Sequence, residues 1–190
     1  MKKLLFVNSC ISTNKPSRTK LLCDAYLERF DQAEWDVEEV VLEQLPLSPF
    51  TPEMLQARND CVARRDFSDD CFALARAFAN ADFIVIGAPY WDLSFPSWLK
   101  LYIEHIMVTY LTFAYTASGV HGLCKAEKLV YITTVGGYIQ DEDWGYGYIR
   151  GIAHMLGITD TQQFTAQGLD IVGMDAQAIL ADALEQVRRG

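Results

Sequence analysis

The sequence predicts a three-layer α/β fold, with helices on both faces of a doubly wound sheet of five parallel strands in the order 2-1-3-4-5. Short apolar runs, typical of strands buried on both faces, alternate with segments of helical periodicity. Polar, aromatic and glycine-containing loops follow three of these runs, at the sheet edge where such folds bind ligands. Without a repeat or linker, residues 1–190 are expected to form one domain.

Composition excludes several classes of function. Hydrophobic residues make up 51% of the 190 residues, which excludes a disordered chain, and the net charge of −9 argues against a nucleic-acid partner. No apolar run approaches the roughly 20 residues of a membrane span, and Leu4–Val7 is too short for a signal peptide. We therefore expect a cytoplasmic protein with no membrane partner. Its five cysteines lack metal-binding spacing, so we expect free thiols and no metal site.

The first strand, Lys2–Val7, leads into a loop rich in hydroxyl groups (residues 8–19) and then a helix. A helix N-terminus after such a loop is a ready anion site, because unpaired amides and the helix dipole point at it. Lys15 and Arg18 can add positive charge. The alternative is a polar turn with one capping hydroxyl, but the number of hydroxyls favours phosphate binding.

The second strand, residues 35–42, precedes an excursion from the basic strand–helix alternation at residues 43–67. Thr51-Pro52 predicts the start of one helix, and residues 68–70 cap the next. Such excursions often build substrate pockets or dimer contacts.

The third strand, Phe83–Ile86, ends at Gly87-Ala88-Pro89, and Tyr90 and Trp91 lie on the loop beyond it. The two aromatic side chains suggest a platform for a flat ligand, with capping of the core as the alternative. A helix is predicted over residues 96–111, apolar on more than one stripe.

Residues 112–123 are predicted to be a loop, and Lys128–Thr134 the fourth strand. The loop after this strand contains Gly136-Gly137, which permits close approach of a ligand, a turn with positive φ, or both. A helix from Trp144 to about Leu156, a last strand at 161–165 and a helix at 174–187 complete the chain. The predicted strand order brings loops 8–19, 89–95 and 134–138 to one crevice.

These motifs, in this order, resemble those of the flavodoxin-like NAD(P)H:quinone oxidoreductases and FMN-dependent NADH-azoreductases. The resemblance lies in Ala88–Lys100, in Thr112–Gly119 and in Thr133–Gly137. It implies bound FMN, a homodimer with active sites at the subunit interface, and a ping-pong reaction from NADH or NADPH to a small aromatic acceptor such as a quinone, azo or nitro compound. The implied cofactor-binding residues are Ser9, Ser17, Arg18, Thr19, Pro89, Tyr90, Trp91, Asp92, Leu93, Thr134, Val135, Gly136 and Gly137.

Two tyrosines are the candidate catalytic residues. Tyr138 is the candidate polar group beside the flavin. Tyr115, with Phe113, is a candidate for the acceptor side, although core or interface packing would also explain this pair. The chain has Asp92 where azoreductases often have Asn, and Ile139 where they have His. The acceptor preference is therefore not carried over.

Two other functions remain open from the sequence. A flavodoxin-type electron carrier would bind FMN and pass single electrons between proteins, and the acidic charge suits such a carrier. A binding protein that has lost the cofactor is the third class. The excursion at 43–67 and the long aromatic helix favour the enzyme.

Overall fold

The computed structural model describes residues 1–11 and 16–190. Its strands are β1 (Lys2–Asn8), β2 (Trp35–Val41), β3 (Phe83–Gly87), β4 (Phe113–Thr116), β5 (Gly119–Gly122), β6 (Lys128–Thr134) and β7 (Asp160–Ala166). Five of them form a parallel sheet in the order β2-β1-β3-β6-β7. This is the predicted pattern, with the last two strands renumbered because a hairpin comes before them.

The described residues form six α-helices: α1 (Arg18–Leu27), α2 (Pro52–Arg64), α3 (Ala73–Asn80), α4 (Ser97–Ile106), α5 (Trp144–Met155) and α6 (Ala176–Arg189). The predicted start of α2 is confirmed, since Thr51 caps the helix and Pro52 opens it. A short 3₁₀ turn capped by Asp69 precedes α3. No helix in the described part of the chain is long and apolar enough to cross a membrane.

Alternating strand residues divide the core into two clusters, one on each face of the sheet. Leu5 and Val7 of β1 face the cluster that α3, α4 and α5 complete, whereas Leu4 and Phe6 face the cluster formed with α1 and α6. Because a strand buried on both faces needs apolar side chains at every position, this arrangement accounts for the continuous apolar runs.

The predicted loop at 112–123 is wrong in part, because its centre forms the antiparallel hairpin of β4 and β5. The strands have only four residues each, below the length at which alternation is readable. Thr116 closes the turn by donating its hydroxyl to the Gly119 carbonyl at 2.8 Å. The hairpin also docks against the end of α5, where the Cys124 amide donates to the Leu156 carbonyl.

The predicted helix at 96–111 is too long, since α4 ends at Ile106. Buried Thr112 terminates it: its Oγ1 accepts from the Val108 amide at 3.0 Å and donates to the Ile106 carbonyl at 2.8 Å. The chain then reverses through Tyr110, which has φ +71°. Val108 is buried within the protomer, so part of the apolar surface expected on this helix is already covered.

We expect Thr112→Val to lower the free energy of unfolding by about 1–3 kcal/mol, because a same-sized apolar side chain leaves a buried amide and carbonyl unpaired. Urea denaturation measures this. Thr165→Val is the matched control, since the buried Thr165 Oγ1 has no partner among the described residues, and its loss should be neutral or stabilising. Equal effects in the two variants would contradict this role of Thr112.

Candidate functional site

The loops that follow β3 and β6, the start of α1 and Asp170 beyond β7 enclose a cleft of about 470 Å³ at the carboxyl edge of the sheet. Its lining contains most of the residues predicted to bind a cofactor, together with Tyr138. The lining residues are Arg18, Pro89, Tyr90, Trp91, Asp92, Leu93, Thr134, Val135, Gly136, Gly137, Tyr138 and Asp170. The structure therefore brings together two of the predicted loops and the start of α1.

The loop after β3 contains a strained two-residue turn. Trp91 and Ser94 exchange backbone hydrogen bonds of 3.1 and 2.8 Å, and the residues between them, Asp92 and Leu93, have φ of +48° and +68°. This is a type I′ geometry, which favours Asn, Asp or Gly and costs a leucine about 1–2 kcal/mol. The turn leaves Trp91 47% exposed at the cleft, so capping of the core does not account for its position.

The loop after β6 is fixed by backbone hydrogen bonds to the chain beyond β7. The carbonyls of Val135, Gly136 and Gly137 accept from the amides of Leu169, Asp170 and Gly168 at 3.2, 2.9 and 2.7 Å. In a planar trans peptide the following N–H points opposite to the carbonyl. The amides of residues 136, 137 and 138 therefore point away from residues 168–170, and none has a partner among the described residues.

Neither of the paired glycines has a positive φ, so the reading of this loop as a positive-φ turn is wrong. A Cβ on Gly136 would lie 2.5 Å from an Asp170 carboxylate oxygen, whereas a Cβ on Gly137 would meet nothing within 4 Å. Gly136 thus makes room for Asp170. Gly137 faces open space, which leaves a bare stretch of backbone beside the cleft.

On the opposite side, the hydroxyls predicted to bind phosphate differ in their engagement. Ser17 caps α1 by accepting from the Lys20 amide at 3.3 Å, and Thr19 Oγ1 lies 2.6 Å from Thr134 Oγ1. Ser9 is 2% exposed, and its Oγ has no partner within residues 1–11 and 16–190. Lys15 lies outside the described residues, as do Ser12, Thr13 and Asn14.

Arg18, predicted as a source of positive charge, is already paired with a carboxylate. Its two terminal nitrogens lie 2.9 and 3.1 Å from the two oxygens of Asp170, and it also donates to the Leu169 carbonyl at 3.1 Å. This fork ties the start of α1 to the loop after β7. No sequence pattern points to Asp170, because a lone acidic residue after a strand is common.

The two predicted catalytic tyrosines are in different places. Tyr138 lines the cleft, whereas Tyr115 lies on β4, 67% exposed, with its ring edge-on to Phe113. Within one protomer the described residues do not bring Tyr115 to the cleft. Partial burial, and then the charge of Asp143, raise the pKa of Tyr90, so its hydroxyl is a proton donor at neutral pH.

The cysteines are free, as predicted. Burial raises the pKa of Cys23 well above its ordinary value, that of Cys71 to about 11 and that of Cys124 to about 12. A raised pKa keeps these three thiols protonated at neutral pH.

Comparison with known proteins places this geometry in a family. A family model described as a flavodoxin-like fold matches residues 2–189. The FMN-dependent NADH:quinone oxidoreductase 2 of Clostridium acetobutylicum is 34% identical over 197 residues, which cover 99% of this chain and 97% of that protein. The FMN-dependent NADH:quinone oxidoreductase of Lachnoclostridium phytofermentans is 33% identical, over 98% and 96%.

Solved structures share the fold at lower identity. An azoreductase from Bacillus anthracis str. Sterne has a TM-score of 0.83 at 22% identity, covering 100% of this chain and 98% of that chain. An FMN-dependent NADH-azoreductase from Bacillus anthracis str. Ames Ancestor, in complex with FMN, has a TM-score of 0.80 at 23% identity, covering 100% and 97%. The chain belongs to the flavodoxin-like fold family.

Proposed function

We propose that this protein is an FMN-dependent NAD(P)H oxidoreductase that passes two electrons, by a ping-pong mechanism, to quinones, azo or nitro compounds. This proposal rests on the three amides of residues 136–138, which have no partner among the described residues and lie beside the open face of Gly137. The names of the 34% and 33% identical relatives, FMN-dependent NADH:quinone oxidoreductases, support the same cofactor, donor and acceptor class. FMN supplies the redox chemistry; the chain supplies position and electrostatics.

The cleft fits the ring of FMN. A flat heterocycle with carbonyl and nitrogen acceptors needs N–H donors along one edge and no side chain against its face. The amides of residues 136–138 provide the donors, and Gly137 leaves the space free. Across the cleft, Trp91, Asp92 and Leu93 project from their turn, with Pro89 and Tyr90 below.

The other side of the cleft fits a phosphate. Ser9 Oγ is buried and unpartnered within the described residues, and Ser9 directly follows β1, in the connection that leads to α1. A buried hydroxyl without a partner is costly, and a phosphate oxygen would satisfy it. In a chain of net charge −9, neutral donors and a helix dipole are the means of holding an anion. The ion pair between Arg18 and Asp170 connects the start of α1 to the loop after β7. The hydroxyls of Thr19 and Thr134 are hydrogen-bonded to each other and connect α1 to the end of β6.

We propose a homodimer in which Tyr115 serves the acceptor side of the partner's cleft, with Tyr138 as the polar group beside the ring. Tyr115 is 67% exposed and does not line the cleft of its own protomer, which supports this assignment. Sedimentation velocity at micromolar concentration measures the assembly. We further propose that residues 1–190 are one domain, that the protein is cytoplasmic, and that NADH or NADPH is the donor.

The direct test of the function is anaerobic addition of NADH to the purified, FMN-loaded protein. An enzyme bleaches its flavin absorbance without a second protein, and a quinone then restores the absorbance. A flavodoxin-type carrier would stay yellow until a reductase was added. A protein that took up no FMN would refute both functions.

Ser9→Ala should weaken FMN binding about threefold to tenfold, as expected for the loss of one hydrogen bond of about 0.5–1.5 kcal/mol. Fluorescence titration of the apoprotein measures the dissociation constant. Ser17→Ala is the control: its hydroxyl caps α1, so its loss should lower stability by about 1 kcal/mol and affect FMN less. Unchanged binding in Ser9→Ala would remove Ser9 from the phosphate site.

The paired glycines separate a ligand role from a packing role. Gly137→Val should fold with the stability of the wild type to within about 1 kcal/mol, since its φ is ordinary and no atom lies in the way, yet lose FMN. Gly136→Ala should lower the free energy of unfolding in addition to weakening FMN binding, because its Cβ displaces the Asp170 carboxylate from Arg18. Urea denaturation of the apoproteins and FMN titration distinguish them. A folded, yellow and active Gly137→Val protein would exclude this loop from the site.

A further inference from the structure

A second, larger cleft of about 880 Å³ adjoins the first one. The two share an edge at the turn of residues 91–94: Leu93 lines the first cleft and Ser94 the second. The far walls of the second cleft are the start of α4 and the first turns of α5. Its lining includes Ser94, Phe95, Lys100, Trp144, Tyr148 and Arg150.

The walls of this cleft are aromatic. Trp144, the first residue of α5, is 60% exposed, although an indole is among the costliest side chains to leave in water. Phe95 and Tyr148 also line the cleft, with their ring centroids 5.6 Å apart and their planes tilted by 56°. A flat, solvent-exposed indole is a platform on which a nucleic-acid base stacks.

The cleft is also lined by a positively charged side chain, Arg150, that has no partner within the described residues. Arg150 is exposed and makes no ion pair or hydrogen bond within the described part of the chain. Lys100, on the other wall, is 47% exposed and pairs with Glu104 of its own helix. The carboxylate of Asp143 is occupied by the Tyr146 amide at 2.8 Å and the Gln163 amide at 2.6 Å, and Glu142 is exposed to solvent. Arg150 is therefore available to an anionic ligand.

From this juxtaposition we infer that the second cleft binds the adenosine diphosphate half of NADH or NADPH. The inference rests on the proposed function. If the reduced nicotinamide contacts a flavin in the first cleft, the rest of the dinucleotide must lie next to that cleft. The second cleft begins there, at Ser94. The adenine stacks on Trp144, and the pyrophosphate pairs with Arg150, assisted by Lys100.

Two other clefts do not offer this combination. One of about 270 Å³ lies at the amino end of the sheet beside Lys3, and its Arg76 is bound to the carbonyls of Phe67 and Asp69. Another, along α2, is lined by Glu53 and Asp60 and has no cation. Neither adjoins the turn at 91–94, so neither is within reach of the same nucleotide.

The test is calorimetric titration of the FMN-loaded protein with ADP-ribose, which lacks the nicotinamide. Arg150→Ala should weaken ADP-ribose binding about tenfold, the loss expected for one charge-assisted contact, and Arg150→Lys should restore part of it. Trp144→Ala should weaken binding about tenfold through lost stacking. The KM for NADH should rise by a similar factor in both alanine variants, while the FMN content stays at the wild-type value.

Arg188→Ala is the control, because Arg188 is an exposed arginine on α6 and lies outside this cleft. Wild-type ADP-ribose affinity in both Arg150→Ala and Trp144→Ala would overturn the inference. So would a shift in sedimentation without a change in ADP-ribose affinity, which would show that a second copy of the chain covers the cleft. Failure of the protein to take up FMN, with ADP-ribose binding still dependent on Arg150, would refute the proposed function and leave the nucleotide site standing.

Discussion

The interaction on which the candidate site depends is the set of hydrogen bonds between the carbonyls of residues 135–137 and the amides of residues 168–170. Each bond fixes one peptide plane. Because the peptide is planar and trans, each plane turned towards 168–170 sends its own N–H in the opposite direction. The donors that we assign to the flavin are therefore set by contacts on the far side of the loop, and the folded protein holds them in place before any ligand arrives.

Asp170 connects this backbone arrangement to the opposite side of the cleft. Its amide donates to Gly136, and its side chain forms a fork with Arg18 at the first turn of α1. The pair keeps a negative charge near an anion site neutralised, and Gly136 is needed because a side chain there would collide with the carboxylate. The phosphate-side helix and the ring-side loop are thus parts of one connected structure.

The turn at residues 91–94 serves both clefts. Its left-handed residues hold Trp91 and Leu93 over the first cleft, and its last residue opens the second. Such strain persists only where the surrounding structure determines it, here through two backbone hydrogen bonds and the neighbouring strand β6. A flavin ring in one cleft and a nucleotide in the other would be aligned by the same rigid element.

Most of the fold could be predicted from the sequence, because strand burial and helix periodicity are local signals. Apolar runs predict the sheet pattern, and a capping residue followed by proline predicts the helix start at Thr51-Pro52. Glycine and proline residues at the ends of strands predict two of the ligand loops. The early end of α4 and the hairpin at 113–122 do not, since a buried threonine and strands of four residues leave little pattern in the sequence.

Tertiary structure alone decided the details of the site. Arg18 and Asp170 are separated by 152 residues, and no local sequence pattern around either residue predicts their pairing. The same holds for the φ of the paired glycines, for the unpartnered Ser9 hydroxyl and for the second cleft between α4 and α5. The physical reason is one of range: periodicity and capping act within a few residues, whereas hydrogen-bond partners and empty space are fixed by chain segments that meet only when the sheet has formed.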